Sequence, residues 1–181
     1  MNEPVKTAVL VIDVQRALFD GAPRPYQADA VIERINALTA KARAAGAPVV
    51  FIQHERAHHA LEHATPGWQL VEALHIQRDD RRIRKTTPDS FLGTGLHEEL
   101  QALQIERVVI CGYATEFCVD TTTRRAAALG YQVILAADAH TTHDKDHAAA
   151  ELIRTHHNLT LGWVTSFSGR IAALPAAEAR F

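Results

Sequence analysis

Asp13, Lys85 and Cys118 are three side chains that could cooperate in covalent hydrolysis, and each stands at a similar point in its local pattern. Cys118 follows an apolar run, Val108 to Cys111, that ends at Gly112, and a helix-compatible segment then continues to Gly130. This is the pattern of a strand, a tight turn and a helix, with the thiol in the first helical turn. Thr115 is placed to act as N-cap, its hydroxyl accepting an orphan backbone N–H. The free N–H groups and the helix dipole there favour a thiolate over a thiol. A free cysteine is more often buried and inert, but the helix start after a buried strand is where α/β folds bind ligands.

Asp13 closes the continuous apolar run of residues 7–14, where an ionised carboxylate must find a partner or change its pKa. Lys85 closes a short polar strand candidate, Arg82 to Lys85, just before the loop 86–91. Its ammonium would favour both a thiolate and an ionised Asp13. A nucleophile, a proton carrier and a fixed cation are the parts that acyl transfer through a thioester requires.

Two other chemistries compete. His54-Glu55-Arg56-Ala57-His58 is a literal H-E-x-x-H, which in a zinc hydrolase needs both histidines on one helix face, the Glu as base and a third ligand such as Glu62 or His63. It follows the strand candidate 49–53 at once, in a His-rich stretch where such patterns arise easily, so we read it as a solvated surface segment and expect no metal. A redox-sensing or partner-binding thiol is the second rival. It accounts for Cys118 and leaves Asp13 and Lys85 without a role. His140, His143 and His147 follow a later strand on the side of the site; they read as solvated loop residues, with substrate contact as the alternative.

The elements that must position these groups alternate. Residues 7–14 form a strand buried on both faces, because the apolar run does not alternate. Val31, Ile32, Ile35, Leu38 and Ala42 have helical spacing over 28–45, and Gly46 is the stop. A strand over 49–53 precedes a polar excursion, 54–80. Leu96, Leu100 and Leu103 mark a helix over 95–104. After the strand 108–111 and the helix 115–129 come a strand at 131–136, a helix at 146–157 and a last strand at 159–164. The Ala-rich tail, 166–181, docks on the domain or on a second subunit. This alternation implies a parallel sheet covered on both faces, with its site outside the carboxyl ends of the strands. Asp13, Lys85 and Cys118 all fall at or just after such ends.

Composition sets the outer limits. The 181 residues suit one domain, taken as 1–181, with a single substantial core. Hydrophobic residues at 47% and charged residues at 22% are ordinary for a globular protein. A formal net charge of −2 gives no reason to expect nucleic acid or an anionic membrane as partner. The two cysteines do not make a disulfide framework, and Cys111 reads as core. Neither a signal peptide nor a membrane-spanning apolar run is visible, so a cytoplasmic location is expected.

Four segments together resemble the isochorismatase-like cysteine hydrolases: Val-Ile-Asp-Val-Gln-Arg-Ala-Leu-Phe at 11–19, Lys85 with Ser90-Phe91, Gly-Tyr-Ala-Thr-Glu-Phe-Cys-Val at 112–119 with Thr122 and Ala126, and Asp138-Ala139. The match runs from about residue 7 to residue 165 in the family's order and spacing. The resemblance implies an α/β fold of three layers, α/β/α and Rossmann-type, with a six-stranded, mostly parallel sheet. It implies an Asp13-Lys85-Cys118 triad and an oxyanion hole from the N–H groups of Ala114 and Cys118, aimed by a cis peptide between Tyr113 and Ala114. It further implies a small-molecule substrate, no cofactor, and a homodimer or homotetramer. Family members hydrolyse nicotinamide, N-carbamoyl compounds, other small amides and lactams, or the enol ether of isochorismate. A cysteine at position 118 points to C–N bonds, with the enol ether as the alternative. Nicotinamidase-like members carry an Asp-x-His metal site after the second strand, and Gln53-His54-Glu55 departs from it. Phe19, Trp68, Phe91, Tyr113 and Phe117 are candidates to line an apolar substrate pocket.

Overall fold

The computed structural model describes residues 5–181. Six strands, β1 (Thr7–Ile12), β2 (Val49–His54), β3 (Arg81–Lys85), β4 (Arg107–Tyr113), β5 (Gln132–Thr141) and β6 (Ile171–Leu174), form one sheet in the order β3-β2-β1-β4-β5-β6. Every pairing is parallel, so the sheet is wholly parallel. The strand order reverses direction at β1, and the crevice beside such a switch point is where doubly wound sheets hold ligands.

Period-2 alternation along β1 sends its side chains to two separate cores. Val9 and Val11 join Val49, Phe51, Val109 and Cys111 on one face, beneath Val31, Ile35 and Leu38 of α2 (Ala28–Ala44). Ala8, Leu10 and Ile12 join Val50, Ile52, Val108 and Ile110 on the other. That second face lies under α3 (Leu96–Ala102), α4 (Asp120–Ala128) and α5 (Ala150–Gly162), which contribute Leu96, Leu100, Ala126, Ala127 and Leu161. The result is three layers, with the short helix α1 (Arg16–Phe19) after β1 adding Phe19 to the first core. No described helix is long and apolar enough to cross a membrane.

The end of the chain departs from the sequence expectation. Residues 159–164 do not form a strand: α5 continues through Gly162, and the sixth strand is Ile171–Leu174. Ile153 and Leu161 are buried two turns apart while Leu159 is exposed, a helical rather than a strand pattern. The tail docks on the domain, with Ala176 and Ala179 buried against α2 and Lys41 Nζ donating to the carbonyls of Ala177 and Ala179. Asp138 helps to hold it by accepting the Ala176 N–H at 2.8 Å.

Candidate active site

The carboxyl ends of four neighbouring strands bring the predicted residues together. Parallel register places Lys85 beside His54, Ile52 beside Ile12, and Ile12 beside Gly112. Asp13 follows Ile12 in a left-handed conformation, φ 51°, which is uncommon for a residue other than glycine. Gly112 permits the approach of β4 to β1. A Cβ on it would lie 2.1 Å from the Ile12 carbonyl oxygen, and its φ is +115°. The peptide between Tyr113 and Ala114 is cis, as the resemblance implied.

The chain then turns through a wide single turn, Thr115–Val119, before α4 begins at Asp120. The Ala114 carbonyl accepts N–H groups from both Phe117 and Val119. Cys118 therefore sits in this turn rather than in the first turn of a regular helix. Thr115 is not the cap expected of it. Its hydroxyl is buried against His140 Nδ1 at 2.8 Å, and His140 Nε2 in turn meets Asn158 Oδ1 at 2.8 Å. His140 is thus fully buried, not a solvated loop residue.

Lys85 is the hub. Its Nζ donates to Asp13 Oδ2 at 2.8 Å, to Cys118 Sγ at 3.2 Å and to the Thr87 carbonyl at 3.1 Å, and lies 3.2 Å from His54 Nδ1. The side chains of Lys85 and Asp13 are essentially inaccessible, so this ion pair is held away from water. Asp13 Oδ1 is buried with no hydrogen-bond partner among the described residues, an oxygen with a free lone pair inside the site. Cys118 is partly buried.

The thiol does not show the lowered pKa expected of a helix start. Burial, followed by the negative charge of Asp13, pushes it up to about 12, and the Lys85 charge only partly offsets this. The resting sulfur therefore carries its proton, within reach of a carboxylate.

The H-E-x-x-H pattern does not form a metal site of the expected kind. His54 ends β2, Glu55 is paired with Arg84 at 2.7 Å, and His58 lies in a turn with φ 57°, so the histidines share no helix face. His54 instead joins Asp13 and Cys118, the ligand atoms of all three lying within 4.8 Å of one another. Such a set could hold a cation, and the Lys85 ammonium already occupies hydrogen-bonding positions toward all three.

The five aromatic candidates do not converge. Phe19 lies in the core with its edge on Tyr113, and Phe91 is stacked on Tyr131 in the opposite core. Trp68 packs against His63, and its carbonyl accepts from the side chains of Gln15 and Gln53. Tyr113 Oη meets His143 Nδ1 at 2.8 Å. Phe117 is 55% exposed and borders a groove of about 420 Å³ with Glu116, Lys145, Leu152 and Ile153.

Two supporting residues escaped the sequence reading. Gln15 uses its side-chain amide as a substitute strand, donating to the His54 carbonyl at 2.9 Å and accepting the His54 N–H at 2.9 Å. His54 was visible only as part of a zinc pattern. What places it is the sheet order: β2 and β3 are parallel neighbours, so the end of one stands beside the end of the other.

Comparison with known proteins agrees with this geometry. The isochorismatase domain model matches residues 7–167. A streptothricin hydrolase of Streptomyces noursei is 41% identical over 138 residues, 76% of this chain and 50% of the relative. A second from the same organism is 38% identical, matching 55% of its length, so the chain spans about half of these relatives. A ureidoacrylate amidohydrolase of Klebsiella pneumoniae is 29% identical, with 96% of this chain and 89% of the relative covered. The crystal structure of a protein from Oleispira antarctica superposes with a TM-score of 0.86 at 29% identity, covering 98% of this chain and 97% of that one. With its sheet, its switch-point site and the matched segments in agreement, this chain belongs to the isochorismatase family.

Proposed function

We propose that this protein is a cysteine-dependent hydrolase that cleaves a C–N bond of a small molecule, an amide, lactam or N-carbamoyl group, through a thioester. The observation that carries the reading is the single buried ammonium, Lys85, bonded to both Asp13 and Cys118. Relatives named for streptothricin hydrolysis and ureidoacrylate amidohydrolysis support the bond type.

In this reading Asp13 takes the Cys118 proton as the sulfur attacks the substrate carbonyl. A buried thiol with a raised pKa suits such concerted transfer better than a standing thiolate. The backbone N–H groups of Ala114 and Cys118 hold the developing oxyanion. The intermediate collapses as Asp13 returns the proton to the leaving nitrogen, which departs as ammonia or an amine. Asp13 then activates water against the thioester, and the acid leaves with the sulfur reprotonated. Lys85 keeps its positive charge throughout and balances whichever of the two neighbours is negative. A sensing thiol would not need this buried acid–base pair.

The test is a screen of small amides, lactams and N-carbamoyl amino acids, with streptothricin and ureidoacrylate included, reading ammonia or amine release. Turnover of at least one class is expected, with Cys118→Ala folded and inactive. Iodoacetamide is expected to label Cys118, and the substrate to protect it. A Cys118→Ala protein that turns over at the wild-type rate overturns the reading.

A further inference from the structure

We propose that His54 is a positioning residue of this centre: its neutral imidazole accepts a Lys85 N–H and holds the ammonium between Asp13 and Cys118, and a proton on His54 turns that hold off. The proposal rests on the thioester reading above and adds to it a residue and a pH gate.

Sheet order requires something at this place. The strands run β3-β2-β1-β4, so a lysine on β3 must pass over the end of β2 to reach a carboxylate after β1 and a thiol after β4. The residue at that end, in register with Lys85 and therefore on the same face, is His54. Its main chain is fixed on both sides, by the β3 pairing and by the Gln15 amide.

Lys85 has three N–H groups and four acceptors around it, Asp13 Oδ2, Cys118 Sγ, the Thr87 carbonyl and His54 Nδ1, so one N–H is shared between two of them. A carboxylate, a carbonyl and a sulfur can accept whatever the state of the ring. The imidazole accepts at Nδ1 only when that nitrogen is unprotonated. A proton there would place a second cation 3.2 Å from the ammonium. It would also set that cation beside Asp13, weakening the carboxylate as a base.

The charged groups facing His54 fall on both sides. Lys85 and His59 disfavour its protonation, and Asp13 favours it. Glu55, next along the chain, has its charge taken up by Arg84. Burial and the Lys85 charge lower the imidazole below its ordinary value of 6.5, so the ring is neutral at pH 7 and the gate closes only at a pH below that value.

The experiment compares pH profiles of kcat/KM for wild type, His54→Gln and His54→Leu on a substrate found in the screen. Glutamine keeps an acceptor oxygen and cannot titrate. The acid limb is expected to move at least one pH unit lower, with kcat/KM at pH 8 within about tenfold of wild type. Leucine removes the acceptor, and kcat is expected to fall tenfold or more with little change in KM. Superposed profiles for wild type and His54→Gln, or a His54→Leu protein with wild-type kcat, overturn the proposal. A readout on the unaltered protein needs neither a variant nor turnover: nitrogen NMR of the His54 ring at pH 7.5 is expected to show Nδ1 without a proton. A protonated Nδ1 overturns the gate even where Cys118 proves to be the nucleophile. Turnover by Cys118→Ala sinks the thioester reading while leaving the NMR result standing.

Discussion

At the scale of residues, the site is a contest between burial and charge. Burial alone would leave Cys118 a poor nucleophile, and Asp13 adds to that effect, so Lys85 is the one neighbour that works toward the thiolate. Lys85→Met is expected to raise the thiol pKa further and to slow iodoacetamide labelling at pH 8 about tenfold or more, since one pKa unit is a tenfold change in thiolate. An unchanged labelling rate would show that the 3.2 Å contact has no influence on the sulfur. The same substitution leaves Asp13 buried without its counter-ion, which costs about 3–5 kcal/mol. A denaturant midpoint should show that loss, and Asp13→Asn added to Lys85→Met should recover part of it. Asp13, Lys85 and Cys118 were legible in the sequence because each stands at or shortly after the end of an apolar or strand-like run. His54 was not read as their neighbour, since adjacency between strand ends is a property of the sheet and not of any local spacing.

At the scale of elements, the close pass of β4 over β1 sets the geometry. Gly112→Ala would drive a Cβ into the Ile12 backbone, with the carbonyl oxygen at 2.1 Å and the nitrogen at 2.7 Å, and neither atom can swing aside as a side chain could. We expect a loss of about 3 kcal/mol or more, with activity falling because Asp13 directly follows Ile12. Gly46→Ala is the control. Its φ is also positive, at 74°, but a Cβ there meets nothing within 4 Å. It should cost about 1–2 kcal/mol, and turnover should be retained. Comparable losses in the two variants would remove the steric argument. The sequence placed β1, β2 and β4 well because each is an unbroken apolar run, and α2 because its apolar residues keep helical spacing. It misplaced the end of the chain because Leu159 to Val164 is strand-like in composition although α5 runs on through Gly162, while the true β6 is a four-residue edge strand of weak propensity. The H-E-x-x-H pattern, set aside as a metal site in the sequence, straddles a strand end and a turn, and what it concealed was the place of His54 at the end of β2. His58→Ala should change turnover less than about twofold, and prolonged chelation should leave most activity. Loss on chelation that zinc restores would return the metal reading.

At the scale of the whole molecule, the most deeply buried titratable ring ties the two halves of the sheet's carboxyl edge together. His140, near the end of β5, joins Thr115 of the Cys118 turn to Asn158 of α5, and Asn158 Nδ2 donates on to the Ala137 carbonyl. Burial first, with nearby positive charge from Arg154 and His157, drives its pKa from the ordinary 6.5 down to about 4, while the Asn158 bond works the other way. Above pH 6.5 the ring is neutral in both the folded and unfolded chains and contributes no pH dependence. Between 6.5 and about 4 the unfolded chain takes up a proton that the folded chain refuses, so stability falls as pH falls. The difference of roughly two and a half units corresponds to about 3 kcal/mol across that window. Urea unfolding of the wild-type chain at pH 7.5 and pH 4.5 should therefore show a large loss on acidification. His140→Gln supplies an acceptor and a donor without a titrating group, so it should be less stable at pH 7.5 but lose about 3 kcal/mol less between the two conditions. The same drop in wild type and variant would mean that the acid sensitivity lies elsewhere. A smaller drop in the variant assigns it to His140, the ring that couples the Cys118 turn to the last helix.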